Sequence, residues 1–369
     1  MVKRNKYMNV PEIRFKGLDK TWNKKTLDEL VQLNSGMDYK HLCNGNIPVY
    51  GTGGYMLSVN AALSYDKDAI GIGRKGTINK PYILKAPFWT VDTLFYAIPR
   101  KYNNLQFCNC IFQRIDWLKY DESTGVPSLS KNIINSIEVN CAPSYDEQQK
   151  IASYFQSLDS LIQTTSKKLV SLKQIKDASL QSMFPQEGET VPKVRFKGFE
   201  GEWEKIPFGS FLKESYERST VENEDILLSS AITGVYLNSE LFGHQRGASN
   251  IGYKKIKKNM LILSTQNLHL GNANVNLRFE HGLISPAYKV YEIVNISPLF
   301  LQQWIKMDST KVFFLNATTA GASLCRKNIV WDDLYKQIVL IPSKNEQVKI
   351  GLFFSNLDKQ ISLQTQRLE

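Results

Sequence analysis

At 369 residues the chain is longer than one ordinary core requires, and 42% hydrophobic with 22% charged residues excludes disorder over most of its length. A formal net charge of +11 and a pI near 9.2 draw it toward polyanions, nucleic acid ahead of an anionic membrane surface. No run approaches the roughly 18 to 20 apolar residues needed to span a bilayer, so no membrane partner is expected.

In chain order, the first marked segment is Pro11-Glu-Ile-Arg-Phe-Lys-Gly-Leu-Asp-Lys-Thr-Trp22, which returns in register as Pro192-Lys-Val-Arg-Phe-Lys-Gly-Phe-Glu-Gly-Glu-Trp203. Pro143-Ser-Tyr-Asp-Glu-Gln-Gln-Lys-Ile151 likewise returns as Pro342-Ser-Lys-Asn-Glu-Gln-Val-Lys-Ile350, and Ser128-Leu-Ser-Lys-Asn-Ile133 is echoed by Ser323-Leu-Cys-Arg-Lys-Asn-Ile329. The chain is therefore two copies of one frame. The interiors differ. Tyr50-Gly-Thr-Gly-Gly-Tyr55 and Gly71-Ile-Gly-Arg-Lys-Gly-Thr77 have no clear sequence counterparts in the second copy, which carries Leu263-Ser-Thr-Gln-Asn-Leu-His-Leu-Gly-Asn-Ala-Asn274 instead.

Within each copy, Ala69–Ile72, Thr93–Ile98, Met260–Ser264 and Tyr288–Ile293 are rich in β-branched and aromatic residues between Gly, Pro or Asn, and predict strands. Each copy is then an α+β domain. After each end motif a 4-3 apolar spacing predicts a helix. Ile151, Phe155, Leu158, Ile162, Leu169 and Leu172 form the first seam; Ile350, Phe354, Leu357, Ile361 and Leu368 form the second. Residues 146–184 as helix would extend about 57 Å at 1.5 Å per residue. The polar, turn-rich stretch Pro185–Pro192 reads as a linker, and the second helix is expected to be shortened, its pattern running to Glu369.

The catalytic machinery of a DNA enzyme is not evident: there is no phosphate-binding Gly-x-x-x-x-Gly-Lys-Ser/Thr loop, no Asn/Asp-Pro-Pro-aromatic element and no acidic pair with lysine of nuclease type. Gly71, Gly73 and Gly76 satisfy a bare Gly-x-Gly-x-x-Gly, but Thr77-Ile-Asn-Lys-Pro81 follows where a dinucleotide site needs a helix, so no bound cofactor is expected. The five cysteines, Cys43, Cys108, Cys110, Cys141 and Cys325, and four histidines lack the spacing of a metal site and read as reduced thiols of a cytoplasmic protein.

The candidate contacts are instead those of nucleic-acid recognition. Arg74 can present a two-pronged donor to guanine or phosphate, and Lys75 a mobile charge. Thr52, Thr77 and Lys80 accompany them. Tyr50 and Tyr55 flank the first glycine loop; with Trp89 they read as packed more than stacked on bases. In the second copy Gln266, Asn267, His269, Asn272 and Asn274 crowd nine residues with groups able to pair with base edges, adenine above all, and Arg326 adds a cation.

The paired starts, paired ends and heptad helices together resemble the specificity subunits of Type I restriction-modification systems over essentially the whole chain. Gly71–Thr77 with Pro87-Phe-Trp-Thr-Val-Asp-Thr-Leu-Phe95 resembles one recurring class of target-recognition domain in that family. The resemblance implies an α+β fold of two similar target-recognition domains, at 1–146 and 187–345, separated by long antiparallel coiled-coil helices at 147–186 and, truncated, at 346–369. It implies a non-catalytic subunit that reads a bipartite double-stranded DNA target and docks methylation subunits on its helices, the helices acting as a ruler for the spacer. S-adenosylmethionine, ATP and Mg²⁺ would then belong to methylation and restriction subunits. Two alternatives are a scaffold that assembles without reading DNA, and a DNA-modifying enzyme with unrecognised motifs.

Overall fold

The structure, a computed structural model, describes residues 11–242, 249–323 and 326–369, with backbone alone at 320–323 and 326. The chain forms two compact units, residues 1–163 and 164–369.

In the first unit, β1 (Asn23–Thr26), α1 (Leu27–Leu30) and β2 (Val31–Ser35) lead into the hairpin β3 (Asn44–Gly51) and β4 (Gly54–Val59). Then follow β5 (Ala69–Gly73), β6 (Tyr82–Leu84), β7 (Trp89–Thr90), β8 (Leu94–Pro99), α2 (Leu105–Arg114), α3 (Lys131–Ser136), β9 (Glu138–Cys141) and α4 (Tyr145–Met183). The main sheet has the order β2-β8-β5-β6, a second sheet the order β4-β3-β7, and β1 pairs with β9. Every residue of β5 is buried, as befits an inner strand carrying a run of small and branched side chains. Asn104 caps α2 by accepting from the Phe107 N–H at 3.0 Å, and Ser130 caps α3 by accepting from the Ile133 N–H at 3.3 Å. Cys108 lies in this core, where burial pushes its thiol up to about 12.

The second unit repeats the plan. Its elements are β10 (Glu204–Pro207), β11 (Leu212–Glu214), β12 (Leu227–Ala231), β13 (Gly234–Leu237), α5 (Asn238–Phe242), β14 (Lys254–Lys257), β15 (Leu261–Ser264) and β16 (Ala273–Val275). They continue as β17 (His281–Ile284), β18 (Tyr288–Ile293), α6 (Pro298–Ile305), α7 (Asp308–Leu315), β19 (Thr318–Ser323), β20 (Arg326–Ile329), α8 (Trp331–Lys336), β21 (Ile338–Ile341) and α9 (Lys344–Gln366). The sheet β11-β18-β15-β16 matches β2-β8-β5-β6 strand for strand, β13-β12-β17 matches β4-β3-β7 with the same parallel pair, and β10-β21 matches β1-β9. Among the described residues β14 is added at the β17 edge, and β19 pairs with β20 in a further two-stranded sheet. All four strands expected from composition are present, and in each unit they form the central antiparallel pair, β5 with β8 and β15 with β18.

The repeated sequence motifs meet in space. The Arg14 guanidinium donates two bonds to the Glu147 carboxylate, both of 2.7 Å; Arg195 does the same to Glu346 at 2.7 and 2.8 Å. Glu147 and Glu346 are 1% and 0% exposed, so these are buried ion pairs in fork geometry. The adjacent Gln148 and Gln347 each accept from a helix-capping N–H, of Asn104 at 2.9 Å and of Ser297 at 2.8 Å. Arg, Glu and Gln thus pin the start motif, the capped helix and the long helix of each unit together.

The expectation of a continuous seam along α4 needs correction. In the second unit α4 and α9 run antiparallel, with Lys176 meeting Asp358 at 2.6 Å and Phe184 meeting Phe354, and they bury Leu172, Ile350, Phe354 and Leu357, with Leu169 and Ile361 half-buried. In the first unit Ile151 and Leu158 are half-buried while Phe155 and Ile162 stand 46% and 52% exposed; at the end of α9, Leu368 is 36% exposed. The heptad is unbroken in sequence, but only the stretch facing another packed element is buried.

Glu147 is held below its ordinary value of 4.5: burial raises it, and bonds from Arg14 and Trp22 outweigh that. A carboxylate depressed on folding stabilises above its unfolded value, and that stability is lost as pH falls through the folded one. Acid unfolding of the first unit should therefore steepen below pH 4.5, and Glu147→Gln should flatten it. Glu147→Ala, which leaves Arg14 buried and unpaired, should cost about 3–5 kcal/mol in urea unfolding at neutral pH.

Candidate nucleic-acid interface

Two connections project from equivalent places in the two units. In the first, residues 74–81 join β5 to β6; in the second, residues 265–272 join β15 to β16. The segments without sequence likeness, Arg74 to Lys80 and Gln266 to Asn272, are thus the same structural loop carrying different side chains. The anchoring repeats as well. The Arg74 N–H donates to the Thr93 carbonyl at 2.8 Å and its carbonyl accepts from Leu129; the Thr265 N–H donates to Ala287 at 3.2 Å and the Gln266 carbonyl accepts from Lys327. Thr93 and Ala287 each immediately precede the central strand, and Leu129 and Lys327 lie in the third repeated sequence element.

In the first unit the turn is tight. A Cβ on Gly73 would stand 2.1 Å from the Thr77 carbonyl oxygen, and Gly76 adopts φ +95°, so both positions require glycine. This leaves Arg74, Lys75 and Lys80 exposed and Thr77 half-buried. The Arg74 guanidinium sits 5.8 Å from the centre of the Phe95 ring, at a cleft of about 440 Å³ shared with Ser35, Lys75, Glu122, Ser130 and Lys131. The cleft offers three cations to one carboxylate, an arrangement that suits a phosphate or a guanine edge. The β3–β4 hairpin joins the loop, for Thr52 Oγ1 is 3.7 Å from where a Gly76 Cβ would lie. Tyr50 is half-buried between Tyr55 and Tyr82, with ring centres 6.4 and 6.2 Å away, whereas Tyr55 is 63% exposed. Trp89 is buried, its indole N–H donating to the Met37 carbonyl at 2.9 Å.

In the second unit the five polar candidates divide. Gln266 is exposed, and Asn267 is half-buried, accepting from Ser264 and Asn272. Asn272 and Asn274 are 6% and 0% exposed, with Asn274 donating to Ser230 Oγ and to the Ala231 carbonyl, both at 2.7 Å, and Asn272 accepting from Ser230 at 3.1 Å. Amides so enclosed hold the β12–β13 hairpin in place, so the expectation that Asn272 and Asn274 offer their edges to bases is corrected: neither is exposed. His269 is buried too, with neither ring nitrogen hydrogen-bonded among the described residues. The Arg326 side chain lies outside the described residues.

Sequence comparison alone missed the hairpin tip of the second unit. Ile232 and Thr233 form a two-residue turn, closed by Ala231 opposite Gly234, just as Thr52 and Gly53 are closed by Gly51 opposite Gly54. Both residues are exposed. The tips are held by different chemistry: the Tyr82 hydroxyl donates to the Gly51 carbonyl at 2.6 Å, whereas Lys306 donates to the Ile232 and Ala273 carbonyls, both at 2.7 Å. Burial, with Lys176 nearby, pulls the Lys306 ammonium down to about 8. The one signal in the sequence was Thr233-Gly234 after an apolar run, a weak turn mark.

Residues 19–174 match the family model of the Type I restriction modification DNA specificity domain. Over the whole chain the fold is similar to that of the Type-I restriction-modification system S subunit from M. genitalium, with a TM-score of 0.58 and 14% identity across 96% of this chain and 93% of that one. The HsdS subunit from Thermoanaerobacter tengcongensis aligns at a TM-score of 0.44 and 14% identity, over 94% of this chain and 92% of that one. No curated protein matches the chain. The class that the fold defines is that of the S-subunit architecture, two repeated α+β units each followed by a long helix. In particular, residues 19–174 are similar to the DNA specificity domain of type I restriction-modification systems, and the fold of the chain is similar to that of their S subunit. No helix among the described residues is long and apolar enough to cross a membrane.

Asn274→Ala should lower the stability of the second unit by about 1–3 kcal/mol, since it strands a buried hydroxyl and carbonyl. Gln266→Ala, on the surface, should stay within about 0.5 kcal/mol of the parent. Chemical denaturation followed by tryptophan fluorescence distinguishes them.

Proposed function

We propose that the two units read two separate half-sites of one double-stranded DNA target, and that methylation and cleavage are carried out by partner subunits. The observation that supports this reading is the pair of equivalent connections with unlike chemistry. Arg74, Lys75, Thr77 and Lys80 present charge and hydroxyl in the first unit, while Gln266 and Asn267, beside Ile232 and Thr233, present amides and a hydroxyl in the second. A preserved scaffold with exchanged loop side chains is what two different base sequences demand, because phosphate contacts position and base-edge contacts specify. The net charge of +11 supplies the sequence-independent attraction.

In this reading the chain has no catalytic role, and S-adenosylmethionine, ATP and Mg²⁺ act on methylation and restriction subunits. The methylation subunits dock on the long helices. Tyr50, Asn272, Asn274 and His269 shape the loops, and Thr52, Tyr55, Arg74, Lys75, Thr77, Lys80, Gln266 and Asn267 face the DNA.

Replacing residues 74–81 with the loop of another specificity domain should change one half of the methylated target and leave the other as it was, read by sequencing the methylated positions in cells. A change in both halves would overturn the division of labour. Arg74→Ala should lose about 1–3 kcal/mol on the specific site alone if it reads a base, or weaken all DNA equally and reduce the salt slope by about one if it holds a phosphate. Equal affinity of the variant and parent on every DNA would remove Arg74 from the interface.

A further inference from the structure

One ammonium in the second unit touches both elements offered to DNA. Lys306, which caps the end of α6, donates to the carbonyl of Ile232 in the turn of the β12–β13 hairpin and to that of Ala273, the residue after the 265–272 connection, both at 2.7 Å. Four residues earlier, on the same face of the helix, Gln302 accepts from the Val275 N–H at 2.7 Å. At its other end α6 is capped by Ser297, whose own N–H donates to Gln347 of α9. A continuous path of bonds thus runs from the long helix through α6 to the hairpin tip and the loop.

The first unit is built differently at this point. Counted from the capping residues Asn104 and Ser297, Gln113 stands where Lys306 stands, and it is exposed. The hairpin tip there is held by the Tyr82 hydroxyl on the Gly51 carbonyl, a neutral bond. The lysine is therefore not part of the repeated frame; it belongs, like the recognition loops, to what varies between the units. Its bonds are charge-assisted, roughly twice as strong as neutral ones. Because they reach carbonyls on two separate elements, the spacing of those elements is tied to one side chain.

We propose, on the half-site reading above, that Lys306 is a positioning residue for base recognition by the second unit: it holds the Ile232–Thr233 tip and the connection carrying Gln266 at one separation, so that both meet the same half-site. Hydrogen bonds to base edges weaken steeply with misalignment, so the separation must be fixed. The tie depends on charge. Around the ammonium stand Lys176 and Asp177 of α4, Asp308 of α7 and Lys193, with Lys176 itself paired to Asp358 of α9. Burial, with Lys176 nearby, holds the ammonium at about 8. As pH rises through that value the amine keeps N–H groups but loses the charge that strengthens their bonds. Global stability does not fall on this account, because a lysine lowered on folding adds stability as pH rises from its folded toward its unfolded value. Recognition by the second unit and the stability contribution of Lys306 therefore move in opposite directions.

The test uses the full-length chain in its methylation complex, with duplexes that carry the target read from methylated positions, or that target with one base pair changed in one half. The half altered by exchanging residues 74–81 is assigned to the first unit and the other to the second. A changed base pair ordinarily weakens specific binding roughly tenfold. Lys306→Met, which keeps the length and removes the charge, should lower that discrimination severalfold in the second half and leave it in the first; Tyr82→Phe should do the reverse. In the unmutated complex, second-half discrimination should fall between about pH 7 and about pH 9, a unit either side of the Lys306 value, while first-half discrimination holds. Lys306→Met should abolish that dependence. The pH arm needs no variant, so it decides even if Lys306→Met does not fold. Second-half discrimination that ignores pH, a Lys306→Met complex that discriminates as the parent does, or a loss shared equally by both halves overturns the assignment. If the 74–81 exchange alters both halves or neither, the half-site reading fails and with it the role of Lys306; if it alters one and the Lys306 outcomes fail, Lys306 alone loses its role.

Discussion

The buried fork of Arg14 on Glu147, repeated as Arg195 on Glu346, is the constraint from which each unit is built. Removing two charges from water is costly, and a two-pronged pair offsets much of that cost, helped by the Trp22 indole N–H donating to Glu147 and by Arg195 Nη1 donating to the Gly201 carbonyl. Once made, the pair fixes the start motif against the first turn of a long helix. The neighbouring Gln148 and Gln347 then bind the capping turns of α2 and α6, and the sheets are laid on this corner. Loss of the fork would leave a buried charge alone, which explains why the motif recurs as a block in both copies.

With the corner fixed, the loops are free to differ. The β5–β6 connection and its partner between β15 and β16 hang from the same two anchors, a carbonyl just before the central strand and an N–H of the third repeated element. Backbone atoms do the anchoring, so side chains can change without loss of position. In the first unit the result is a glycine turn with Arg74 and Lys75 at its tip. In the second it is a loop of the same length held by Asn272, while the Asn274 amide takes the place of the Tyr82 hydroxyl in restraining the hairpin. A protein organised in this way can vary what it recognises while keeping how it folds.

The same repeat that duplicates the frame also exposes where the copies are unequal. Phe354 and Phe155 are equivalent in sequence and differ in burial because Phe184 covers one and nothing described covers the other. An apolar periodicity records a helix's capacity to pack; burial depends on a second surface being present.

Sequence by itself determined the duplication, the α+β character of each copy, the strands of the central pairs, the long helices and the family resemblance. These follow from local signals, residue spacing and β-branched runs, which act over a few positions. Only the tertiary structure decided that Arg74 and Gln266 belong to matching loops, because no side chain is shared between those segments and their equivalence lies in backbone hydrogen bonds. Only the tertiary structure separated Gln266 at the surface from Asn274 in the core: an asparagine has the same donors and acceptors in both places, and what differs is whether Ser230 and Ala231 have already taken them.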